Sequence, residues 1–393
     1  MPVLADKQLC TGCTACVNTC PSKCIVMEKD KAGFSYPVLT NPAMCLSCGA
    51  CEQICPVING VQVRESMPSA YAAYSKDDSI RMESSSGGVF SELAQIVLHE
   101  NGVVYGAAYD HSTWSIYHRR VEDPSDLGAL RGAKYAESDL GYIFEDVQKD
   151  LNSGKAVLFA GTPCQVAGLR AFLRRDYPGL LCVDFVCHGI PSPMVWETYV
   201  KYRAEKDANG MLPCLINLRA KHTGWSHYRY SNLFQYRNGK TFSLLSQDSA
   251  YMKLFVGDYI SRPACASCMF KGYKRVSDIT LGDFWGIWDL LPEMDDNKGT
   301  SVVLLQSEKG QRYWNEISEK MSWMEVELSH ACKQNPSMLQ SSAAKERHDE
   351  VLDAIRQKGF QEGISILNKE NQSYVGHIKN RVKDLLYAIG KRR

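Results

Sequence analysis

The sequence has no long apolar run. Nothing in it approaches the roughly 20 consecutive apolar residues that a membrane-spanning helix needs, so no such helix is expected. It also lacks an excess of either charge: 45 Lys and Arg stand against 44 Asp and Glu, a net charge of +1. That balance argues against a generic nucleic-acid binder. The first nine residues are too polar for the apolar core of a secretory signal. An oxidising compartment therefore has no support, and a cytoplasmic location is expected. A radical-SAM run, C-x3-C-x2-C, is absent. Cysteine is what the chain does not lack, with sixteen in 393 residues. In a reducing compartment that many thiols imply metal ligation rather than disulfides.

Eight of them fall in two runs near the start. Cys10, Cys13, Cys16 and Cys20 precede Pro21; Cys45, Cys48, Cys51 and Cys55 precede Pro56. Each reads C-x2-C-x2-C-x3-C-P, the spacing in which the fourth cysteine of each run ligates the other run's cluster. One [4Fe-4S] cluster is therefore expected on Cys10, Cys13, Cys16 and Cys55, and a second on Cys45, Cys48, Cys51 and Cys20. The two-residue gaps let the backbone curl round a cube of iron and sulfide, and the proline ends the turn. Zinc favours separable pairs of ligands, which eight cysteines this dense do not form. Cys24 stands outside both quartets and reads as a small buried filler.

Length suggests two or three domains at about 150 residues each. The expected division is a ferredoxin-like module over 1–60, a linker over 61–70, an α/β domain over 71–335 and a helical extension over 336–393. In the second region strands alternate with helices, which predicts a mostly parallel sheet. Strands are expected at Ala70–Tyr74, Gly102–Ala108, Lys155–Gly161, Leu180–Val186 and Val302–Gln306, and helices at Val89–His99, Leu140–Leu151 and Gln165–Arg175. His227–Arg237 and Lys240–Ser246 are expected to pair across Asn238-Gly239, a strong hairpin dipeptide. Helices are expected again at Ala343–Gln357, Gln361–Leu367 and Val375–Ile389.

Two buried strands each end in a cysteine, at Gly161-Thr162-Pro163-Cys164-Gln165 and at Cys187-His188-Gly189. Ligands of parallel α/β sheets sit outside the carboxyl ends of the strands. With Cys265 and Cys268 downstream, Cys164 and Cys187 make a candidate third [4Fe-4S] ligand set. The alternative is a pair of buried thiols beside a redox-active or zinc-binding CxxC. Ser84-Ser85-Ser86-Gly87-Gly88 precedes a helix, where unpaired amides suit phosphate, or where serine simply caps the helix. Arg131-Gly132-Ala133-Lys134-Tyr135 reads either as a pyrophosphate or flavin contact or as a solvated turn. Gly282-Asp283-Phe284-Trp285 reads as a pocket wall or as core. His188 reads as a proton donor or as a structural histidine. The basic C-terminal helix suits an acidic partner or a membrane surface, but packing on its own domain is the expected role.

Ser-Ser-Gly-Gly before a helix, Gly-Ala-Lys-Tyr, Gly-Thr-Pro-Cys-Gln-Val-Ala-Gly-Leu, Cys-His-Gly-Ile-Pro-Ser and Asp-Ile-Thr-Leu-Gly-Asp-Phe-Trp-Gly occur in this order. Together they resemble the coenzyme F420 hydrogenase/dehydrogenase β-subunit family, over about residues 70–300, with a dicluster ferredoxin module in front. The resemblance implies FAD on the α/β domain with a [4Fe-4S] cluster nearby. It implies flavin contacts at Ser85, Ser86, Gly87, Gly88, Lys134 and Tyr135. Thr162, Gln165 and Asp283 are further candidate cofactor contacts. Ala133 departs from the serine of the family's Gly-Ser-Lys-Tyr pattern, which removes one hydroxyl donor. The implied activity is an oxidoreductase passing electrons between clusters, flavin and a two-electron carrier. That carrier is F420 or a small-molecule substrate, and some bacterial members are tied to surface-polysaccharide pathways. The expected protein partner is a ferredoxin or a reductase subunit, and self-association is compatible with either. The alternative is an electron-transfer subunit with no substrate of its own.

Overall fold

The computed structural model describes residues 2–226 and 229–370. The helix expected over Val375–Ile389, with its basic face, lies outside the described residues. Between the two cysteine runs, β1 (Ile25–Lys29) and β2 (Ser35–Leu39) form an antiparallel hairpin. The body follows with β3 (Ser69–Ser75), β4 (Val103–Tyr109), β5 (Ile116–Val121), β6 (Val157–Ala160) and β7 (Leu180–Phe185). A separate antiparallel sheet of β8 (Leu215–Ala220), β9 (Ser231–Gln235) and β10 (Thr241–Leu245) intervenes. Then β11 (Ile279–Asp283), β12 (Ser301–Leu305) and β13 (Met321–Val326) complete the large sheet, whose order is β13-β3-β12-β11-β7-β6-β4-β5.

The fold is the expected α/β class. Its four central strands, β4, β6, β7 and β11, run parallel, and the outer strands pair antiparallel. Connection length explains the difference. The short loop from β4 to β5 permits only a hairpin, whereas β6 reaches β7 through a crossover helix. The centre is covered on both faces, so Val157, Leu158 and Phe159 of β6 are all fully buried.

Helix Val89–His99 begins where Gly88 takes φ +90°, and it buries Leu93, Ala94, Val97 and Leu98. Each of the leucine and valine side chains contributes roughly 1.5–3 kcal/mol. Helix Pro163–Leu173 starts two residues before the expected position. Pro163 sits in the first turn, where the missing N–H has no partner to lose, behind a Thr162–Gln165 capping box. The expected Leu140–Leu151 helix is Ile143–Asn152. The hairpin loop is longer than two residues. Tyr236 pairs with Lys240, and Gly239 takes φ +82°, so Arg237 joins Asn238 and Gly239 in the turn. Helix Pro193–Ala208, capped by Ser192, was not expected: Arg203 interrupts its buried face of Val195, Trp196, Tyr199 and Val200. The expected Ala343–Gln357 helix forms only as His348–Lys358. The amide of Ala343 is instead drawn to Asp258 (2.8 Å). Helix Phe360–Glu370 takes the place of Gln361–Leu367.

The cysteine-rich segment shares cores with the body. Cys13, Ala15 and Ile54 pack with Phe159, Val166 and Leu169. Phe34 and Tyr36 belong to the cluster around Trp196 and Tyr251. Gly168, mid-helix, lets Cys13 come so near that a Cβ at 168 would lie 2.8 Å from the Cys13 Cβ.

Candidate functional site

The two- and three-residue gaps and tight turns of each cysteine run fold their thiols inward. Cys10, Cys13, Cys16 and Cys55 line one cavity, with Cys51 on its wall. Burial raises the Cys13 thiol to about 12, and neighbouring Cys10 and Cys55 add to the rise. Cys16 is raised by burial and by Cys13, Cys10 and Cys55. Cys51 faces Cys20. Cys45 is half-buried and Cys48 exposed, on a stretch that also exposes Met44 (49%) and Leu46 (67%). Cys24 is buried as expected, with its Sγ 3.5 Å from that of Cys20.

The third set comes together from three separate stretches. β6, β7 and β11 are parallel neighbours, so their carboxyl ends share one edge of the sheet. Cys164 follows β6, and Cys187 follows β7. The 3₁₀ turn Pro263–Ser267 delivers Cys265 and Cys268. All four line a single cavity, with Thr11, His188, Arg262 and Lys271. Burial raises Cys164 to about 11 and Cys265 to about 12, and Cys187 well above its ordinary value; each is raised further by other thiols of the set.

Crowded thiols that raise one another cannot all ionise unless a positive centre sits among them. Both cavities therefore suit a cationic group with four thiolate ligands. Among the described residues, no three His, Cys, Asp or Glu side chains close up round a metal ion. Donors already reach individual sulfurs. Thr162 Oγ1 lies 3.1 Å from Cys164 Sγ, and the Ile190 amide donates to Cys265 Sγ (3.4 Å).

Asp283 leaves the same edge at the end of β11, beside β7. Around it gather Ser85 and Tyr135, held by a residue not foreseen from the sequence. Arg219, from β8, donates from Nη2 to Asp283 Oδ1 (2.8 Å) and to the Ser85 carbonyl (3.3 Å). Its guanidinium lies over Tyr230 and Trp285 at 4.0 and 5.0 Å. Burial raises the Tyr135 hydroxyl, and the Arg219 charge opposes that rise. Lys221, two residues further, is buried; its Nζ donates to the carbonyls of Arg81 and Ser86 (2.6 Å each), and burial pushes it down to about 7. Lys134 donates to the carbonyls of Ala129 and Arg131 (3.1 and 2.7 Å), and burial pushes it to about 7. Its Nζ lies 5.8 Å from the Tyr109 ring.

Among the described residues, the buried atoms without a partner include Arg219 Nε and Tyr109 Oη in this region. Buried donors left unpaired point to a missing acceptor. A flavin nucleotide, with carbonyl oxygens and anionic phosphates, supplies acceptors of the kind these residues lack. The residues fit it.

The remaining candidates fall elsewhere. The Gly87 amide is bonded to Ser301 Oγ (2.9 Å), and the residue packs against the Ala73 carbonyl so closely that a Cβ would lie 2.3 Å away. Gly88 caps the helix, and Ser86 Oγ donates to the Thr300 carbonyl (3.1 Å). Thr162 and Gln165 cap helix Pro163–Leu173, and Gln165 continues to Ser138 (3.0 Å) and thence to His118 (3.0 Å). They stand with the third thiol set, not with Asp283. His188 is in that set's cavity, its Nε2 2.8 Å from Asp258 Oδ1 and its Nδ1 3.2 Å from Ser337 Oγ. The sequence offers one hint of Arg219: a charge inside the apolar run Leu215–Ala220 implies a buried partner. Arg262 and Lys271 carry no such signal.

Thiols in these numbers and this grouping define an iron–sulfur protein built round an α/β sheet. The comparisons then place it. The coenzyme F420 hydrogenase/dehydrogenase beta-subunit family matches in two parts, its N-terminal part over residues 70–144 and its C terminus over 154–331. A 4Fe-4S dicluster domain matches over residues 9–59. The chain belongs to this family, with the dicluster domain fused in front, and so to the iron–sulfur oxidoreductases. No curated protein matches. Among solved structures, a chain of the F420-reducing [NiFe] hydrogenase complex from Methanosarcina barkeri is similar at 16% identity and a TM-score of 0.47, over 77% of this chain and 92% of that one. Among the described residues, no helix is long and apolar enough to cross a membrane.

Proposed function

We propose that the chain is an iron–sulfur flavoprotein oxidoreductase of the cytoplasm. Cys10, Cys13, Cys16 and Cys55 hold one [4Fe-4S] cluster, and Cys45, Cys48, Cys51 and Cys20 a second. Cys164, Cys187, Cys265 and Cys268 hold a third, and FAD lies against Ser85, Tyr135, Arg219 and Asp283 with Lys134 near its phosphates. When bound, clusters supply single-electron transfer and a flavin converts single electrons into pairs. The two-electron partner is an F420-type deazaflavin or a small molecule, including one from polysaccharide synthesis.

The observation that carries the reading is the shared sheet edge. Cys164 and Cys187 follow β6 and β7 and Asp283 ends β11, three adjacent parallel strands that lie about 4.8 Å apart. The third thiol set and the Arg219 group are thereby neighbours. The first thiol set reaches the third through Thr11 and Arg262. His188 Nδ1 is hydrogen-bonded to Ser337 Oγ (3.2 Å) and its ring packs edge-on against Phe255 (5.1 Å), which supports the structural one of its two readings. Lys134 and Lys221 hold charge against burial, which an anionic ligand would relieve.

Arg219→Gln tests the flavin site. Protein purified without oxygen should keep its iron and lose most of its FAD. Full FAD occupancy in that variant would refute the placement, and absence of flavin from the wild type would refute the enzyme reading. A second reading, an electron-transfer subunit docking on a reductase, is favoured by the exposed Met44, Leu46 and Cys48. A stable monomer that reduces a small molecule from an artificial donor would eliminate it.

A further inference from the structure

We propose that Arg262 is one fixed charge shared by the first and third thiol sets, setting the reduction potentials of both centres together. This rests on the reading of those sets as [4Fe-4S] ligands. Arg262 is only 1% exposed. On one side its Nε donates to the Cys10 carbonyl (2.7 Å) and its Nη2 to the Ser35 carbonyl (2.8 Å). Gly12 makes the room: a Cβ there would lie 2.9 Å from Arg262 Nη1, and its φ of +69° suits glycine besides. On the other side Arg262 lines the cavity of Cys164, Cys187, Cys265 and Cys268. Its own amide is held by the Ile190 carbonyl (2.8 Å), three residues ahead of Cys265. The guanidinium thus stands at the wall between two sets of sulfurs.

A buried charge is poorly screened by salt. A nearby positive charge favours whichever state of a cluster is more negative, which is the reduced one. Net charge is one of the levers on cluster potential. Because one guanidinium serves two centres, their potentials rise together. The second set should feel the charge least, because Arg262 lines the third set's cavity and bonds the Cys10 carbonyl, and Cys20, Cys45, Cys48 and Cys51 stand at neither place. Glu137 is the opposing charge, paired with Arg262 Nη1 and accepting from the Ser35 amide (3.0 Å). Arg262 acts through the ligands' surroundings and is a positioning residue.

The test is a redox titration at pH 8, followed by electron paramagnetic resonance, on the full chain with its iron counted. Arg262→Gln should lower the reduction constant of the first and third centres about tenfold, which is about 59 mV for one electron, and leave the second unmoved. Arg262→Lys keeps the charge and loses the forked hydrogen bonds; it should stay within about threefold of the wild type. Unmoved potentials in Arg262→Gln with iron intact would overturn the proposal, as would an equal shift in all three centres, a shift in one centre only, or an equal effect of Arg262→Lys. Should Arg262→Gln lose a cluster, Glu137→Gln decides: both constants should rise about threefold, and no rise overturns the proposal. A wild type with two cluster signals instead of three would remove the ligand reading beneath it, and the proposal with it.

Discussion

Gly168 occupies the middle of helix Pro163–Leu173, where glycine costs about 1 kcal/mol against alanine. The structure gives the reason it is there. A Cβ would lie 2.8 Å from Cys13 Cβ, 3.0 Å from its Sγ and 3.1 Å from its carbonyl oxygen. Carbon atoms in good contact sit roughly 3.5–4.0 Å apart. Gly168→Ala therefore recovers about 1 kcal/mol of helix propensity and loses about 1–3 kcal/mol to overpacking. The net effect runs from none to about 2 kcal/mol of destabilisation. On the proposed reading the displaced group is a ligand of the first centre, so that centre should suffer more than the fold. Anaerobic urea unfolding followed by circular dichroism, with iron counted in parallel, separates the two effects. The expected result is a modest loss of stability and a loss of iron confined to the first centre. Gly128→Ala is the control, since a Cβ there meets nothing within 4 Å. If Gly168→Ala were about 1 kcal/mol more stable than wild type with full iron, the close approach of Cys13 would be wrong.

Asp278 is 1% exposed and binds Arg64 (3.0 Å), Arg170 (2.7 Å), the Cys182 amide (2.8 Å) and Ser307 (2.7 Å). Asp278→Ala should cost about 3–5 kcal/mol in unfolding experiments, because it strands a largely buried arginine. Thr162→Val removes both the helix cap and the hydroxyl near Cys164. It should cost about 1 kcal/mol and lower the potential of the third centre, and Thr162→Ser should restore both. Burial pushes His118 down to about 4 from an ordinary value near 6.5. Its folded value lies below its unfolded one, so the unfolded chain binds more protons between pH 4 and 6.5. Stability from this group is complete above pH 6.5 and is lost as pH falls to 4, by about 3 kcal/mol in all. His118→Gln should flatten that part of the stability–pH curve, and an unchanged slope would count against a buried neutral ring.

The gathering of the N-terminal thiols was legible because such a loop is local: four cysteines within eleven residues carry their own geometry. The third set was legible for a different reason. Two cysteines each followed a buried strand, and parallel strands end at one edge. Asp283 and Ser85 were visible as motif residues, but their meeting point was not. Arg219 comes from a separate sheet, and only the tertiary fold carries it across. Arg262 likewise sits beside Cys10, far from it in sequence. Glycines misled where a turn and a close approach look alike. Gly87 reads as room for phosphate, yet its missing side chain makes room for the Ala73 carbonyl. Helix Pro193–Ala208 was hidden because its buried face includes Arg203, paired with Asp207.

The central claim is three four-iron centres and one flavin on a single chain. Iron, acid-labile sulfide and FAD counted together on anaerobically purified protein test it most directly. About twelve irons with one FAD per chain is the predicted result. About eight irons with FAD retained would remove the centre at Cys164, Cys187, Cys265 and Cys268, and twelve irons without FAD would contradict the reading of the Arg219 site.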